Sequence, residues 1–328
     1  MIWRVIWLMV LAVFFSTPGF AADFPARAIT LICPVAPGGI LDIQLRTFAT
    51  VAEKHLGKPV VVLNKAGGSG ALGTAALVEA RPDGYTIGLG WSSQTAMIIQ
   101  DIVGGRKPSF TIDDFAILGQ LTNSPPIFNV KYDSRWKTMK ELIEDVKAHP
   151  NAYSYPGSGI YSMAHLPHLV MAKELGLQMH FVPTRGGGEA MNLILGGHVN
   201  FGVGYPGHVL SLIKAKQLRP LAQFGEKRVK NFEDVPTFGD LGFKNVTYYA
   251  WVGLVAPKRT PAPILEKLQK LVRDVAHDPA FVNIIENAGD QVDYADPETL
   301  KKSWLKEYNQ LYPLIEEVEK EKKEKEKK

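Results

Sequence analysis

Residues 28–42 read Ala28-Ile29-Thr30-Leu31-Ile32-Cys33-Pro34-Val35-Ala36-Pro37-Gly38-Gly39-Ile40-Leu41-Asp42. The nearly unbroken apolar run 28–33 predicts a strand buried on both faces. The Pro/Gly-rich stretch after it cannot continue the strand and predicts a loop. A helix is expected from Asp42 to about Leu56. Leu45, Phe48, Ala49 and Ala52 fall on one face of it, and Gly57 stops it. One strand, one glycine loop and one helix in 30 residues set the theme for the chain.

The theme repeats downstream. Val60-Val61-Val62-Leu63 predicts a second strand, residues 70–80 a small-residue helix, and Tyr85-Thr86-Ile87-Gly88-Leu89 a third strand after the turn Arg81-Pro82-Asp83-Gly84. Such a run is a parallel crossover unit by default. Strands are expected at 126–130, 153–155, 179–182, 199–203 and 218–224. Between them lie a helix opened by the capping box Thr138-Met139-Lys140-Glu141 and helices at 162–175, up to Leu195, and at 206–216. A long apolar strand, 247–255, opens the last third. Thr260-Pro261, Asp278-Pro279 and Asp296-Pro297 each read as a cap followed by Pro at the first helical position. Alternation of this kind predicts the α/β class.

Composition bounds the function. The chain has 328 residues, 46% hydrophobic and 21% charged, which is a folded globular chain rather than a disordered one, long enough for two ordinary domains or one domain wrapped around another. A net charge of +4, with no basic stripe bearing interleaved aromatics, does not point to nucleic acid. Cys33 is the only cysteine, so an internal disulfide and a cysteine-rich zinc site are both excluded. At the N-terminus, Arg4 precedes an apolar run from Val5 to Phe15, shorter than the roughly 20 residues that span a bilayer. Ser16-Thr17-Pro18-Gly19 breaks it, and Gly19-Phe20-Ala21 offers the small residues of a cleavage site. Residues 1–21 are therefore expected to be a signal peptide, and the mature chain a periplasmic protein. Residues 316–328 hold only Glu, Lys and one Val and read as a frayed, solvated helix end.

The chemistry is expected in three loops that each follow a strand and feed a helix. They are Ala36-Pro37-Gly38-Gly39-Ile40-Leu41-Asp42, Gly157-Ser158-Gly159-Ile160-Tyr161-Ser162, and Pro183-Thr184-Arg185-Gly186-Gly187-Gly188. A helix start carries unpaired N–H groups and the positive end of the macrodipole, so it binds anions without a charged side chain. Three such loops at carboxyl ends of strands would converge on one crevice. Gly68-Ser69-Gly70-Ala71-Leu72-Gly73 matches the dinucleotide fingerprint GxGxxG. However, the next strand ends Gly88-Leu89-Gly90-Trp91 without the required acid, so these glycines read as packing glycines. No cofactor is implied.

His165 and His168 share a helix, but no carboxylate partner accompanies them, and no metal site is expected. Ser92, Ser93 and Gln94 follow the third strand and could bond a ligand or cap the next helix. Asp42 reads as a helix cap rather than a catalytic acid. Tyr155 and Tyr161 read as core, while Trp91 and Tyr205 are candidates for an aromatic wall.

The order of these segments carries a resemblance. Residues 28–42, Val60-Val61-Val62-Leu63-Asn64-Lys65-Ala66-Gly67-Gly68-Ser69-Gly70, Pro82-Asp83-Gly84-Tyr85-Thr86 and Gly157-Ser158-Gly159 with His165-Leu166 are part of it. So are residues 182–188, Leu195-Gly196-Gly197-His198-Val199, Leu218-Arg219-Pro220-Leu221-Ala222, Asp234-Val235-Pro236-Thr237 and Gly242-Phe243. Over nearly the whole mature chain this resembles the Bug (TctC-like) family, extracytoplasmic solute receptors of tripartite tricarboxylate transporters. The resemblance implies a two-lobed periplasmic-binding-protein type II fold, a small organic carboxylate in an interlobe cleft, membrane transporter subunits as partners, and no catalysis. It also implies carboxylate binding by backbone N–H groups, hydroxyls and waters.

Carried over by position, the ligand-binding residues would be Pro37, Gly38 and Gly39, then Ser92 and Ser93, then Ser158, Gly159 and Ser162, and Thr184, Gly186 and Gly187. Arg185, Trp91 and Tyr205 join them as residues of the same segments. Trp91, Thr184 and Gly204-Tyr205-Pro206-Gly207 depart from the family pattern, so ligand identity cannot be inherited. One aromatic on each side of the cleft favours an aromatic or otherwise apolar carboxylate over citrate.

The expected organisation is lobe 1 over 22–122 and 246–315, lobe 2 over 123–245, and a charged tail over 316–328, in a monomer. The chain would cross between lobes near 121–126 and 244–247. A receptor serving a sensor system, or an α/β enzyme, are the alternative readings.

Overall fold

The apolar run after Ala28 forms strand β1 (Ile29–Cys33), with Ile29, Leu31 and Cys33 wholly buried, and the glycine loop hands it to helix α1 (Ile40–Leu56). The computed structural model describes residues 24–326, so the expected signal peptide, 1–21, lies outside the described residues. β2 (Val60–Asn64), a 3-10 turn (Gly68–Gly70), α2 (Ala71–Val78), β3 (Thr86–Trp91), α3 (Ser93–Val103), a second 3-10 turn (Ile112–Asp114) and β4 (Phe115–Ser124) complete the first part. The chain then builds β5 (Ile127–Lys131), α4 (Met139–Ala148), β6 (Ser154–Gly157), α5 (His165–Leu175), β7 (His180–Pro183), α6 (Gly187–Leu195), β8 (Gly202–Gly204), α7 (Pro206–Lys214) and β9 (Leu218–Gln223). It ends with β10 (Ala250–Pro257), α8 (Ala262–Ala276), α9 (Pro279–Asn287), β11 (Val292–Ala295) and α10 (Pro297–Glu326). The class is α/β, as expected.

Two lobes follow from how the strands pair. One six-stranded sheet has the order β11-β4-β10-β3-β1-β2, with β1 parallel to both β2 and β3. The long apolar strand β10 inserts antiparallel between β3 and β4 and is buried along its whole length. The other lobe holds an antiparallel sheet, β8-β5-β9, and a parallel pair, β6-β7. Pro125 and Pro126 carry the chain from β4 to β5, and residues 224–249 carry it from β9 back to β10.

β4 is the element the sequence hides. Its ten residues, FAILGQLTNS, mix Gly, Gln, Thr and Asn into the apolar pattern, and its pairing with β10 is broken by two irregularities in register. At one of them Gly119 takes a φ of 147°, a conformation L side chains rarely adopt. Gln120 Nε2 donates to Asp293 O at 2.7 Å and ties β4 to β11 at the sheet edge. The polar residues serve this sheet rather than solvent.

The C-terminal helix corrects a second expectation. α10 packs Leu300 and Trp304 against Phe115 and Trp251 of the larger sheet. Further along, Leu311, Leu314 and Ile315 join the core of the other lobe with Phe128, Tyr155 and Phe201. The charged segment is therefore not a purely solvated end at its start. Glu319 is buried and accepts the Tyr161 hydroxyl proton at 2.7 Å, and Lys173 pairs with Glu317. One cap also differs from expectation. Thr260 donates its hydroxyl to Pro257 O instead of capping α8, whereas Asp278 caps α9 by accepting from Ala280 N. Among the described residues no helix is long and apolar enough to cross a membrane.

Candidate functional site

A cavity of about 550 Å³ lies between the two lobes, where helix starts meet. From the larger sheet come the β1–α1 loop with Pro37, Gly38 and Gly39, and the end of β3 with Trp91 and Ser93. From the other lobe come Ser158, Gly159 and Ser162 after β6, Thr184, Arg185, Gly186 and Gly187 after β7, and Tyr205 after β8. Thirteen of the fourteen expected residues thus line one cavity.

Ser92 is the exception and is corrected here. It is fully buried, its Oγ accepts from Trp251 N at 2.8 Å, and its own N–H donates to Trp251 O at 3.3 Å. The hydroxyl locks the start of β10 to the end of β3 and does not line the cavity.

The loops differ in which N–H groups they leave free. Asp42 is not the cap of α1. Gly39 occupies that position, with no side-chain bond to the helix start. The Asp42 carboxylate instead accepts from Gly38 N at 2.9 Å, Arg46 Nε at 3.0 Å and Asn64 Nδ2 at 2.8 Å. Burial raises the pKa of Asp42, but those hydrogen bonds outweigh it and hold the carboxyl below its ordinary value. The Gly38 donor, expected to serve a ligand, is therefore used by the loop itself. Likewise Glu189 accepts from both Arg185 N and Arg185 Nε, and the Arg185 side chain is 94% exposed. Thr184 N–H is given to Gly157 O.

What remains are first-turn N–H groups. The starts of α1 and α6 carry no side-chain cap, and α7 begins with Pro206 after Tyr205, also without one. Such turns leave donors without intrahelical partners. A Cβ on Gly207 would stand 3.2 Å from Ile40 Cδ1, and one on Gly187 3.1 Å from His208 Cε1, so the three helix starts are immediate neighbours. Their dipoles add a positive field to a cavity whose described lining contains no acidic side chain.

Sequence reasoning missed two parts of this wall. The Ala66–Gly70 loop lines the cavity as well, although Gly70 and Gly73 are also the packing glycines expected. A Cβ on Gly70 would meet Trp91 at 2.7 Å, and one on Gly73 would meet Lys65 O at 2.6 Å. His208, three positions into α7, is the other omission. Only its place after a strand and a Pro-initiated helix start could have signalled it.

The two aromatics are walls more than jaws. Trp91 is 2% exposed, and Tyr205 is 8% exposed with its hydroxyl donating to Met163 O at 3.0 Å. His165 and His168 are core residues. Burial lowers their pKa values to about 4 and about 3, and His165 Nδ1 accepts from Tyr161 N at 2.8 Å. Cys33 is buried and free, Tyr155 and Tyr161 are core, and no cluster of metal-ligating side chains occurs among the described residues.

The arrangement can hold an anion.

Relatives and solved structures share the fold. Protein BugT of Bordetella pertussis is 29% identical over 287 residues, covering 86% of this chain and 88% of its own. The structure of the periplasmic binding protein BugD superposes with a TM-score of 0.79 at 28% identity, over 91% of this chain and 98% of that one. MatC from Rhodopseudomonas palustris with bound malate has the same fold, with a TM-score of 0.81 at 23% identity, over 89% of this chain and all of that one. The family model of the tripartite tricarboxylate transporter family receptor, TctC, matches residues 44–320, and this chain belongs to that family.

Proposed function

We propose that this protein is a periplasmic, monomeric receptor that captures a small organic carboxylate in the interlobe cavity and delivers it to the membrane subunits of a tripartite tricarboxylate transporter. The observation that carries the reading is the meeting of uncapped helix starts from both lobes around a cavity with no acidic lining residue. The ligand carboxylate rests on N–H groups of the first turns of α1 and α6, with hydroxyls of Ser93, Ser158, Ser162 and Thr184 within the same wall. Arg185 contributes little, because its guanidinium faces solvent and already pairs with Glu189.

The clamp consists of residues 22–122 with 246–315 and, opposite them, residues 123–245. The protein binds and does not catalyse. Trp91, Tyr205, Met163 and Met191 give the cavity an apolar flank, which favours a carboxylate with an aromatic or aliphatic body over citrate.

Calorimetry with malate, citrate and benzoate tests this, on the wild type and on Trp91→Ala. Binding of at least one of the three, with citrate weakest, is expected. Tight citrate binding that is indifferent to Trp91→Ala overturns the apolar-body reading, and no binding by any of them overturns the carboxylate reading.

A further inference from the structure

His208 stands apart from the other polar groups of the cavity. Its ring lines the wall beside the start of α6, and no hydrogen bond or ion pair to it occurs among the described residues. The remaining polar groups there are committed or uncharged. Arg185 holds Glu189, the Tyr205 hydroxyl is bound to Met163 O, and Thr184 Oγ1 donates to Gly186 O at 3.1 Å. An imidazole without a partner, at the wall of an anion-attracting cavity, is a vacant charge partner.

Resting on the carboxylate reading above, we propose that His208 is the ligand's charge partner, taking up a proton from solvent as the carboxylate enters and closing an imidazolium–carboxylate pair beside the α6 start. In the empty cleft the ring is neutral, because burial lowers its pKa below the ordinary histidine value.

The groups packed around it do not supply a charge of their own. α6 presents Gly187, and α1 presents Ile40 to the neighbouring Gly207. Asp290, behind Gly207, spends its carboxylate on Ser124, Gln44 Nε2 and Gln291 N. Its burial raises its pKa. The arriving carboxylate is then the one anion free to stabilise the protonated ring. Ligand affinity becomes coupled to pH through a side chain, while the helix starts supply attraction that does not titrate.

The sign is fixed by linkage. The ligand raises the pKa of His208, so binding takes up a proton between the free and bound values, and affinity falls as pH rises through that window. Benzoate and malate are ionised above about pH 6 and add nothing to the slope there, whereas the last carboxyl of citrate titrates near that pH, so citrate reports on His208 only above about pH 7.5.

The test is calorimetry with malate, citrate and benzoate in two buffers of different ionisation enthalpy, from about pH 6 to 8.5. The wild type should take up as much as about one proton per ligand and lose up to about tenfold in affinity per pH unit on the basic side. His208→Gln should bind more weakly at the acidic end, with no proton uptake and a flat profile. Histidine NMR of the wild type supplies a readout that does not depend on the variant folding: the His208 ring should titrate at higher pH with ligand than without. Binding with no proton uptake, uptake that survives His208→Gln, or an unshifted His208 titration each overturns this proposal alone. No binding by any of the three acids overturns the carboxylate reading and this proposal with it.

Discussion

A Cβ placed on Gly159 would stand 2.5 Å from the Oγ of Ser69. Gly159 follows β6 in one lobe, and Ser69 precedes α2 in the other, so the two lobes touch at this point on the rim of the cavity. Gly159 also holds a φ of 111°, which a side chain would resist. Gly159→Ala should therefore cost about 1 kcal/mol or more in stability from the backbone alone, and should weaken ligand binding by propping the rim open. Ser69→Gly added to it should restore ligand affinity and leave the stability loss in place. Melting curves and calorimetry on the single and double variants separate the two effects.

Gly39 offers the opposite situation. Its φ is −79°, and a Cβ there meets nothing closer than Ala36 O at 3.9 Å, so a side chain fits the fold and intrudes only on the cavity. Gly39→Val should melt close to the wild type and lose most carboxylate binding. Arg185→Ala should cost at most about 1 kcal/mol of binding, as for one solvated hydrogen bond. The reverse order of severity would show that a side-chain ion pair, not the backbone, holds the ligand.

In α10, Glu307 Oε2 accepts from Thr95 Oγ1 at 2.7 Å and Trp251 Nε1 at 2.9 Å, while its Oε1 is shielded without a partner. Burial pushes its pKa up from 4.5 to about 7, against the lowering effect of those hydrogen bonds. The folded state then holds this proton more tightly than the unfolded chain does. Its contribution makes stability fall as pH rises from about 4.5 to about 7, and the loss is complete above that. Glu307→Gln keeps an oxygen for both donors and removes the charge. It should flatten this part of the pH–stability curve and be neutral or stabilising at pH 8. Denaturant midpoints at pH 5, 6, 7 and 8 decide it, and an unchanged slope in the variant contradicts the assignment.

The hydrogen bond from Tyr161 to Glu319 anchors the end of α10 to the lobe carrying α5. Tyr161→Phe leaves a buried carboxylate without its donor and should cost about 1–3 kcal/mol. Ending the chain after Ile315 removes Glu319 along with the charged segment and should destabilise by a similar amount. If both variants unfold at the wild-type midpoint, the far end of α10 is held by Leu311, Leu314 and Ile315 rather than by Glu319.

The order of strand, glycine loop and helix was legible from residue 28 onward, because burial on both faces, helical spacing and glycine stops are written into neighbouring residues. So was the set of loops that would meet, since loops at carboxyl ends of parallel strands share one side of a sheet. β4 was not legible, because polar residues in it are satisfied by partners distant in sequence, Gln120 by Asp293 and Ser124 by Asp290.

The ownership of each donor was equally out of reach. Gly38 N–H goes to Asp42 and Trp251 N–H to the Ser92 hydroxyl, and neither choice is visible in a run of letters. By itself, the sequence determined most of the segments, β4 and β11 excepted, because those depend on contacts within a few residues. The tertiary structure alone decided which N–H groups stay free, which serine lines the cavity and that His208 stands there unpartnered, because each depends on packing between residues far apart along the chain.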